Sequence, residues 1–186
     1  MRTKAIWIAL VIGLVLGSFG GFRAGQTVTS RAAPQVTADG QIELPRVGLV
    51  TRVIDGDTVH VEHEGVRFKV RIIGIDTPEV SGPGSPECFA EQGSEFLERA
   101  ILRKEVRLRL DRESHDRYGR WLAYVEPRGG GLKGKDISEE LVRGGYATTL
   151  EIEPNTSHAR TLRRLERAAR EGGRGLWGAC DIEGAA

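Results

Sequence analysis

Residues 47–75, VGLVTRVIDGDTVHVEHEGVRFKVRIIGI, decide the fold. Val47 to Val53 and Thr58 to Glu62 are rich in β-branched residues and flank the turn-forming stretch Ile54-Asp55-Gly56-Asp57. After Glu64-Gly65 a third strand is expected from Val66 to Ile75, so the strands arrive as hairpins rather than as strand–helix–strand crossovers. With no P-loop and no G-x-G-x-x-G run, a doubly wound sheet has nothing to support it. Downstream, Ser81 to Pro86 (SGPGSP) reads as an irregular loop. Cys88 to Lys104 carries Phe89, Phe96, Leu97, Ala100 and Ile101 at helical spacings. Val106 to Leu110 alternates as a strand does, and Trp121 to Val125 is a fifth strand before the turn at Gly129-Gly130-Gly131. A short helix is expected over Asp136 to Val142, ending at Gly144-Gly145, and a last one over Ser157 to Glu171, stopped by Gly172-Gly173. Three strands, a helix, two strands and two helices predict an α+β domain, mainly β: a small five-stranded barrel with three flanking helices.

The whole chain is 186 residues, enough for one such domain with extensions. Its 28% charged and 39% hydrophobic residues exclude wholesale disorder and a polytopic membrane protein. A balance of 27 basic and 26 acidic side chains gives no global attraction to polyanions, so any such affinity must come from local clustering. Ala5 to Phe22 is an uncharged apolar run that, as a helix, would span about 27 Å. It follows Arg2 and Lys4, the layout of a signal peptide or an uncleaved signal anchor. Ser18-Phe19-Gly20 and Ser30-Arg31-Ala32 offer small residues for cleavage without forming a clean A-x-A site, and an anchor is the preferred reading. The expected organisation is a signal peptide or transmembrane anchor at 1–24, a flexible tether at 25–45, the folded domain at 46–180 and a tail at 181–186. The domain would then sit outside a single-pass membrane anchor, or be secreted or periplasmic if the segment is removed.

Three clusters carry chemistry. Asp55-Gly56-Asp57-Thr58 sits at the first hairpin, and Arg71 precedes Asp76-Thr77-Pro78-Glu79 at the end of the third strand. Each reads alone as a turn or a cap, but two acidic groups converging at strand ends could hold a hard cation such as calcium, which takes oxygen ligands. The spacing is not an EF-hand. In the third cluster, Asp116-Arg117-Tyr118-Gly119-Arg120, an arginine offers phosphate a fork of donors that stays protonated. Arg71 and Arg120 could therefore grip a phosphodiester and neutralise charge as the phosphorus becomes five-coordinate.

These clusters, with Trp121-Leu122-Ala123-Tyr124, Glu140-Leu141-Val142-Arg143-Gly144-Gly145, Pro154-Asn155-Thr156, His158 and Gly175-Leu176-Trp177, resemble the thermonuclease family, the staphylococcal nuclease-like domains. The likeness runs in order from about Leu49 to Cys180. It implies an OB-fold barrel with three helices and calcium-dependent hydrolysis of DNA and RNA phosphodiesters. It further implies Asp57 and Asp76 as calcium carboxylates with the Thr77 carbonyl beside them, Glu79 as general base for the attacking water, and Arg71 and Arg120 on the phosphate. Arg117 and Tyr118 would contact substrate. A barrel that binds nucleic acid without turnover is the alternative, and a tethered interaction domain without nucleic-acid affinity is a third. A monomer is expected, and no protein partner is evident.

The chain departs from the family where stacking tyrosines would precede the Pro-Asn-Thr turn: it has Leu150-Glu151-Ile152-Glu153, with no ring for a base to stack on. The loop after Glu79 lacks the lysines expected by resemblance. The last helix carries Arg160, Arg163, Arg164, Arg167 and Arg170, either a solvated face or an attraction for polynucleotide, with Leu162, Leu165 and Ala169 turned toward the barrel. Cys88 and Cys180 are the only cysteines. In an exported domain they would form a disulfide, and in a reducing compartment two buried thiols. His60, His63, His115 and His158 have no zinc-site spacing.

Overall fold

The computed structural model describes residues 43–84 and 86–181. The expected membrane-directed segment, its two cleavage positions, nearly all of the tether and residues 182–186 lie outside them. Among the described residues no helix is long and apolar enough to cross a membrane.

Three strands open the domain: β1 (Val47–Val53), β2 (Thr58–His63) and β3 (Val66–Ile72). After β4 (Ile75–Asp76) and α1 (Ala90–Ile101) come β5 (Glu105–Arg109), β6 (Trp121–Pro127), α2 (Ile137–Gly144), β7 (Thr148–Thr149), α3 (Ala159–Glu171) and α4 (Leu176–Ala179). The barrel closes in the order β1-β2-β3-β6-β5, every pair antiparallel except β3 with β6. This is the expected five-stranded α+β barrel of OB-fold type with three principal helices.

Period-two alternation puts Val59 and Val61 of β2 and Phe68, Val70 and Ile72 of β3 inside, where they meet Val50, Val106, Leu108, Ala123 and Val125. Leu97 and Ile101 of α1, Ile137 and Leu141 of α2 and Leu162 of α3 extend the same core over the barrel. In α2 the start is fixed by Asp136, whose Oδ1 accepts the N–H groups of Ser138 and Glu139 at 2.8 and 3.4 Å. On α3 the apolar stripe Leu162, Leu165, Ala169 is buried as its spacing predicts.

The third strand is shorter than its sequence suggests. Gly74 adopts φ +86°, a left-handed conformation that ends the pleat after Ile72. Ile75 and Asp76 then leave the barrel and pair with Thr149 and Thr148 of β7. The strict alternation expected along Val66 to Ile75, which would put Arg71, Ile73 and Ile75 on one face, therefore fails: Arg71 stays on the outer side of β3 while Ile73 and Ile75 are both buried. The first helix begins at Ala90 rather than Cys88, because Phe89 sits at φ +71°. Two small elements were not expected: the β4–β7 ribbon, and α4, whose Trp177 packs near Ala169 of α3.

Candidate active site

The β1–β2 hairpin builds one wall. Asp55 Oδ1 accepts the N–H groups of Asp57 and Thr58 at 3.0 and 2.6 Å, an Asx turn that fixes the direction of the Asp57 carboxylate. Gly56 lets this turn touch the next segment: a Cβ there would lie 2.7–2.9 Å from Thr77 side-chain atoms. Across that contact, Asp57 Oδ2 accepts the Thr77 N–H at 3.3 Å and its hydroxyl at 3.1 Å, while Thr58 donates to Oδ1 at 3.0 Å.

Arg71 joins the two acids. Its register partner in β2 is Thr58, so the guanidinium emerges beside the hairpin. Nη1 reaches Asp57 Oδ2 at 2.7 Å and Nη2 reaches Asp76 Oδ1 at 3.0 Å. Burial pushes the Asp57 carboxyl up to about 7; Arg71 opposes that rise and Asp55 adds to it. Glu79 lies just beyond. Its N–H donates to Glu87 Oε2 at 2.8 Å and its carbonyl accepts the Glu87 N–H at 3.0 Å, closing the neck of the 80–86 loop. Its carboxyl is also raised, first by burial and then by the charges of Asp55, Asp76 and Glu87.

Arg120 enters from the start of β6. Its Nε pairs with Asp116 Oδ2 at 2.6 Å and its Nη1 points to Thr58 Oγ1 at 3.5 Å, against the Asp57 hairpin. Asp116 Oδ1 accepts the N–H groups of Tyr118 and Arg120, both at 2.9 Å. Burial would raise the Asp116 carboxyl, but its hydrogen bonds from Arg120 and Tyr118 outweigh burial and hold it below the usual range. Tyr118 is 68% exposed, with the Arg117 guanidinium 4.8 Å from its ring centroid and that of Arg120 5.6 Å away. A cleft of about 530 Å³ runs beside these groups, lined by Arg71, Tyr118, Arg120, Leu122, Leu150 and Ile152. Leu150 and Ile152 make its wall apolar where the resemblance would place rings.

The structure thus gathers Asp57, Arg71, Asp76, Thr77 and Arg120 into one site, with Glu79 at its edge and Arg117 and Tyr118 on its rim. Cys88 and Cys180 form a disulfide. It borders a smaller hollow of about 260 Å³ behind Asp76 and Thr77. The α3 arginines lie outside the set: Arg163 is bonded to Glu151, and Arg170 pairs with Glu166 beneath the Trp177 ring. Among the described residues no three His, Cys, Asp or Glu side chains are arranged to hold a metal ion by themselves.

Four supporting residues escaped the sequence reading as such. Asp55 and Asp116 were signalled by their turn motifs without a stated task. Asn155 stood in the Pro154-Asn155-Thr156 motif without a stated task, and Glu87 gave no local signal. Asn155, buried, accepts the N–H groups of Arg112 and Glu113 at 3.0 and 2.8 Å and returns a bond to the Glu113 carbonyl, securing the loop that leads to Asp116.

Comparison with known proteins gives the chain a family. The sequence model of the family described as Staphylococcal nuclease homologue matches residues 69–179. A thermonuclease of Staphylococcus hyicus is 35% identical over 69% of this chain and 73% of its own length, and one of Staphylococcus intermedius 34% identical over 69% and 74%. Endonuclease YncB of Bacillus subtilis is 33% identical over 68% of this chain and 59% of its own. With the barrel, the ordered motifs and these relatives on one footing, the chain belongs to the staphylococcal nuclease homologue family.

Proposed function

We propose that the chain is a calcium-dependent nuclease that hydrolyses the phosphodiester bonds of DNA or RNA. One observation carries the reading: a single guanidinium, Arg71, holds the Asp57 and Asp76 carboxylates together within 3.0 Å, with Glu79 and Arg120 around them. Two carboxylates, with Asp55 and Glu79 close by, leave an acidic excess that a phosphate could not approach without a cation. The donors are all oxygens, the set a hard cation takes, and calcium among such cations is what the family resemblance implies. Asp57, Asp76 and the Thr77 carbonyl would hold it. When bound, calcium supplies Lewis-acid polarisation of a phosphoryl oxygen and a template for the substrate.

The remaining steps belong to the chain. Glu79, whose carboxyl is made more basic by burial and by its acidic neighbours, takes a proton from the attacking water. Its hydrogen-bonded neck to Glu87 holds the backbone from which it reaches. Arg71 and Arg120 offer N–H groups to the equatorial oxygens, whose charge grows as phosphorus becomes five-coordinate. Asp116 aims Arg120, and Tyr118 with Arg117 borders the path of the strand.

The test is cleavage of single-stranded DNA by the full chain with calcium and with chelator, beside Glu79→Gln and Arg120→Ala. Loss of a general base lowers the rate by about 10²–10⁴-fold, and loss of a charge-stabilising donor by about 10²–10³-fold. Folded protein that binds DNA but cuts it in no metal would overturn the enzyme and leave a binding barrel. We also propose export, with the domain outside the membrane: the Cys88–Cys180 disulfide persists only in an oxidising compartment and supports the reading of residues 1–24.

A further inference from the structure

The outer face of β1, β2 and β3 carries three cations, Arg52, Arg67 and Lys69, that no acid neutralises, in line with Arg71 of the site. Along β3 the outward positions are Arg67, Lys69 and Arg71, about 7 Å apart in steps of two residues. The last of them is the arginine that holds Asp57 and Asp76. Across the sheet, Lys69 lies opposite His60 and His60 opposite Arg52. A register shift in β1 between Val50 and Arg52 leaves Thr51 and Arg52 both exposed, so Arg52 joins the same face.

Several surface arginines are matched to carboxylates, as Arg99 is with Glu95, Arg107 with Glu126, Arg128 with Glu105 and Arg163 with Glu151, while Arg160, Arg164 and Arg167 of α3 are exposed and unmatched but lie away from the site. Arg52, Arg67 and Lys69 have no carboxylate within 4.0 Å among the described residues, although Glu62 stands opposite Arg67 in register. The crowding is felt at His60, whose ring is held below its ordinary pKa first by burial and then by Arg67, Arg52 and Lys69. Such a face is complementary to a chain of anions.

We propose that Arg67, Lys69 and Arg52 form a subsite for the phosphates of the substrate strand beyond the bond being cut. The inference rests on the nuclease reading and extends it from one phosphodiester to a polynucleotide. A polynucleotide, rather than an anionic lipid surface, is favoured because the row runs without a break into Arg71. An extended strand laid along β3 would meet a cation at each step while its scissile phosphate lies at the site, whereas a lipid surface needs no such continuity. Grooves of this kind track the backbone and ignore base identity.

The test uses the full chain carrying Arg52→Gln, Arg67→Gln and Lys69→Gln together; all three side chains are exposed, so folding should survive. For a long single-stranded DNA, KM should rise roughly tenfold while kcat holds. For a dinucleotide, which cannot reach the row, kcat/KM should stay within about twofold. Binding of the long DNA, measured in the Glu79→Gln background, should lose about two units of its log–log salt slope, since each phosphate neutralised on a single strand contributes about 0.7. Binding is read without turnover, so this arm decides the subsite even if no substrate is cleaved. An unchanged salt slope, or equal losses on long and short substrates, would overturn the proposal. So would a variant that binds and cuts DNA normally but no longer binds vesicles of phosphatidylserine and phosphatidylcholine, which would assign the row to a membrane surface.

Discussion

Asp57 sits where water can barely solvate it, 6% exposed, and its place depends on a neighbour with no side chain. At Gly56 an added Cβ would meet Thr77 Oγ1 at 2.7 Å and Thr77 Cβ at 2.8 Å. The latter is fixed to the backbone and cannot swing aside, so Gly56→Ala must push the hairpin off the 76–77 segment and open both Thr77–Asp57 bonds. The barrel itself, held by strands that begin and end elsewhere, should stay folded. A displacement of about 1 Å at a reacting centre lowers rates by as much as 10²-fold. Gly56→Ala is therefore expected to reduce kcat/KM on DNA by about 10–100-fold and to raise the calcium needed for half-maximal activity, with little change in circular dichroism. Full activity in the variant would show that the hairpin does not need this contact.

At the scale of elements, strand and helix positions were legible because alternation and helical spacing are local properties. Val59, Val61, Phe68 and Val70 announce a barrel face whatever lies opposite. The break after Ile72 was not legible, since Ile72-Ile73-Gly74-Ile75 is an unbroken apolar run and the partner that draws Ile75 away, Thr149, comes far later in the chain. The chemical groups of the site were readable from their motifs, but the holding roles of Glu87 and Asn155 were not, because their partners are assigned only by folding. A similar long-range tie joins the end of β5 to the start of α3. Asp111 accepts the Ser157 hydroxyl at 2.7 Å, its N–H at 3.1 Å and the Tyr124 hydroxyl at 3.0 Å. Burial would raise this carboxyl, but those hydrogen bonds prevail and lower it from 3.8. A carboxyl lowered by folding adds stability that is complete above its unfolded value of about 3.9 and is lost as pH falls through the folded value. Resistance of the chain to urea unfolding should therefore fall as pH drops below about 4. Asp111→Asn should flatten that decline, and an unaltered slope would remove Asp111 from the account of acid sensitivity.

Over the described residues, the domain is a barrel whose α4 end is tied back to the segment before α1. Cys88 precedes α1 and Cys180 follows α4, with 92 residues of separation, so the bond spans the barrel strands β5 and β6 and all the later helices. In the chain-entropy description, closing a loop of that size removes unfolded-state freedom equivalent to about 4–5 kcal/mol, and removing a native disulfide typically costs about 2–5 kcal/mol. The α4 end packs apart from the main core, in a small cluster of Leu176, Trp177 and Ala169, with the Leu176 N–H bonded to the Gly145 carbonyl at 2.8 Å. Cys88→Ala with Cys180→Ala, or treatment with a dithiol reductant, should lower Tm by on the order of 10 °C. The barrel core contains neither cysteine, so the domain should remain folded at room temperature. The bond borders the hollow behind Asp76 and Thr77, and so the same change should raise the calcium concentration for half-maximal cleavage while leaving kcat at saturating calcium nearly as before. Calorimetry with and without reductant, followed by a calcium titration of DNA cleavage, reads both effects. An unchanged Tm would mean that the α4 end is held by packing alone, and a collapse of kcat at saturating calcium would mean that the disulfide positions Glu79 through Glu87 rather than merely closing the fold.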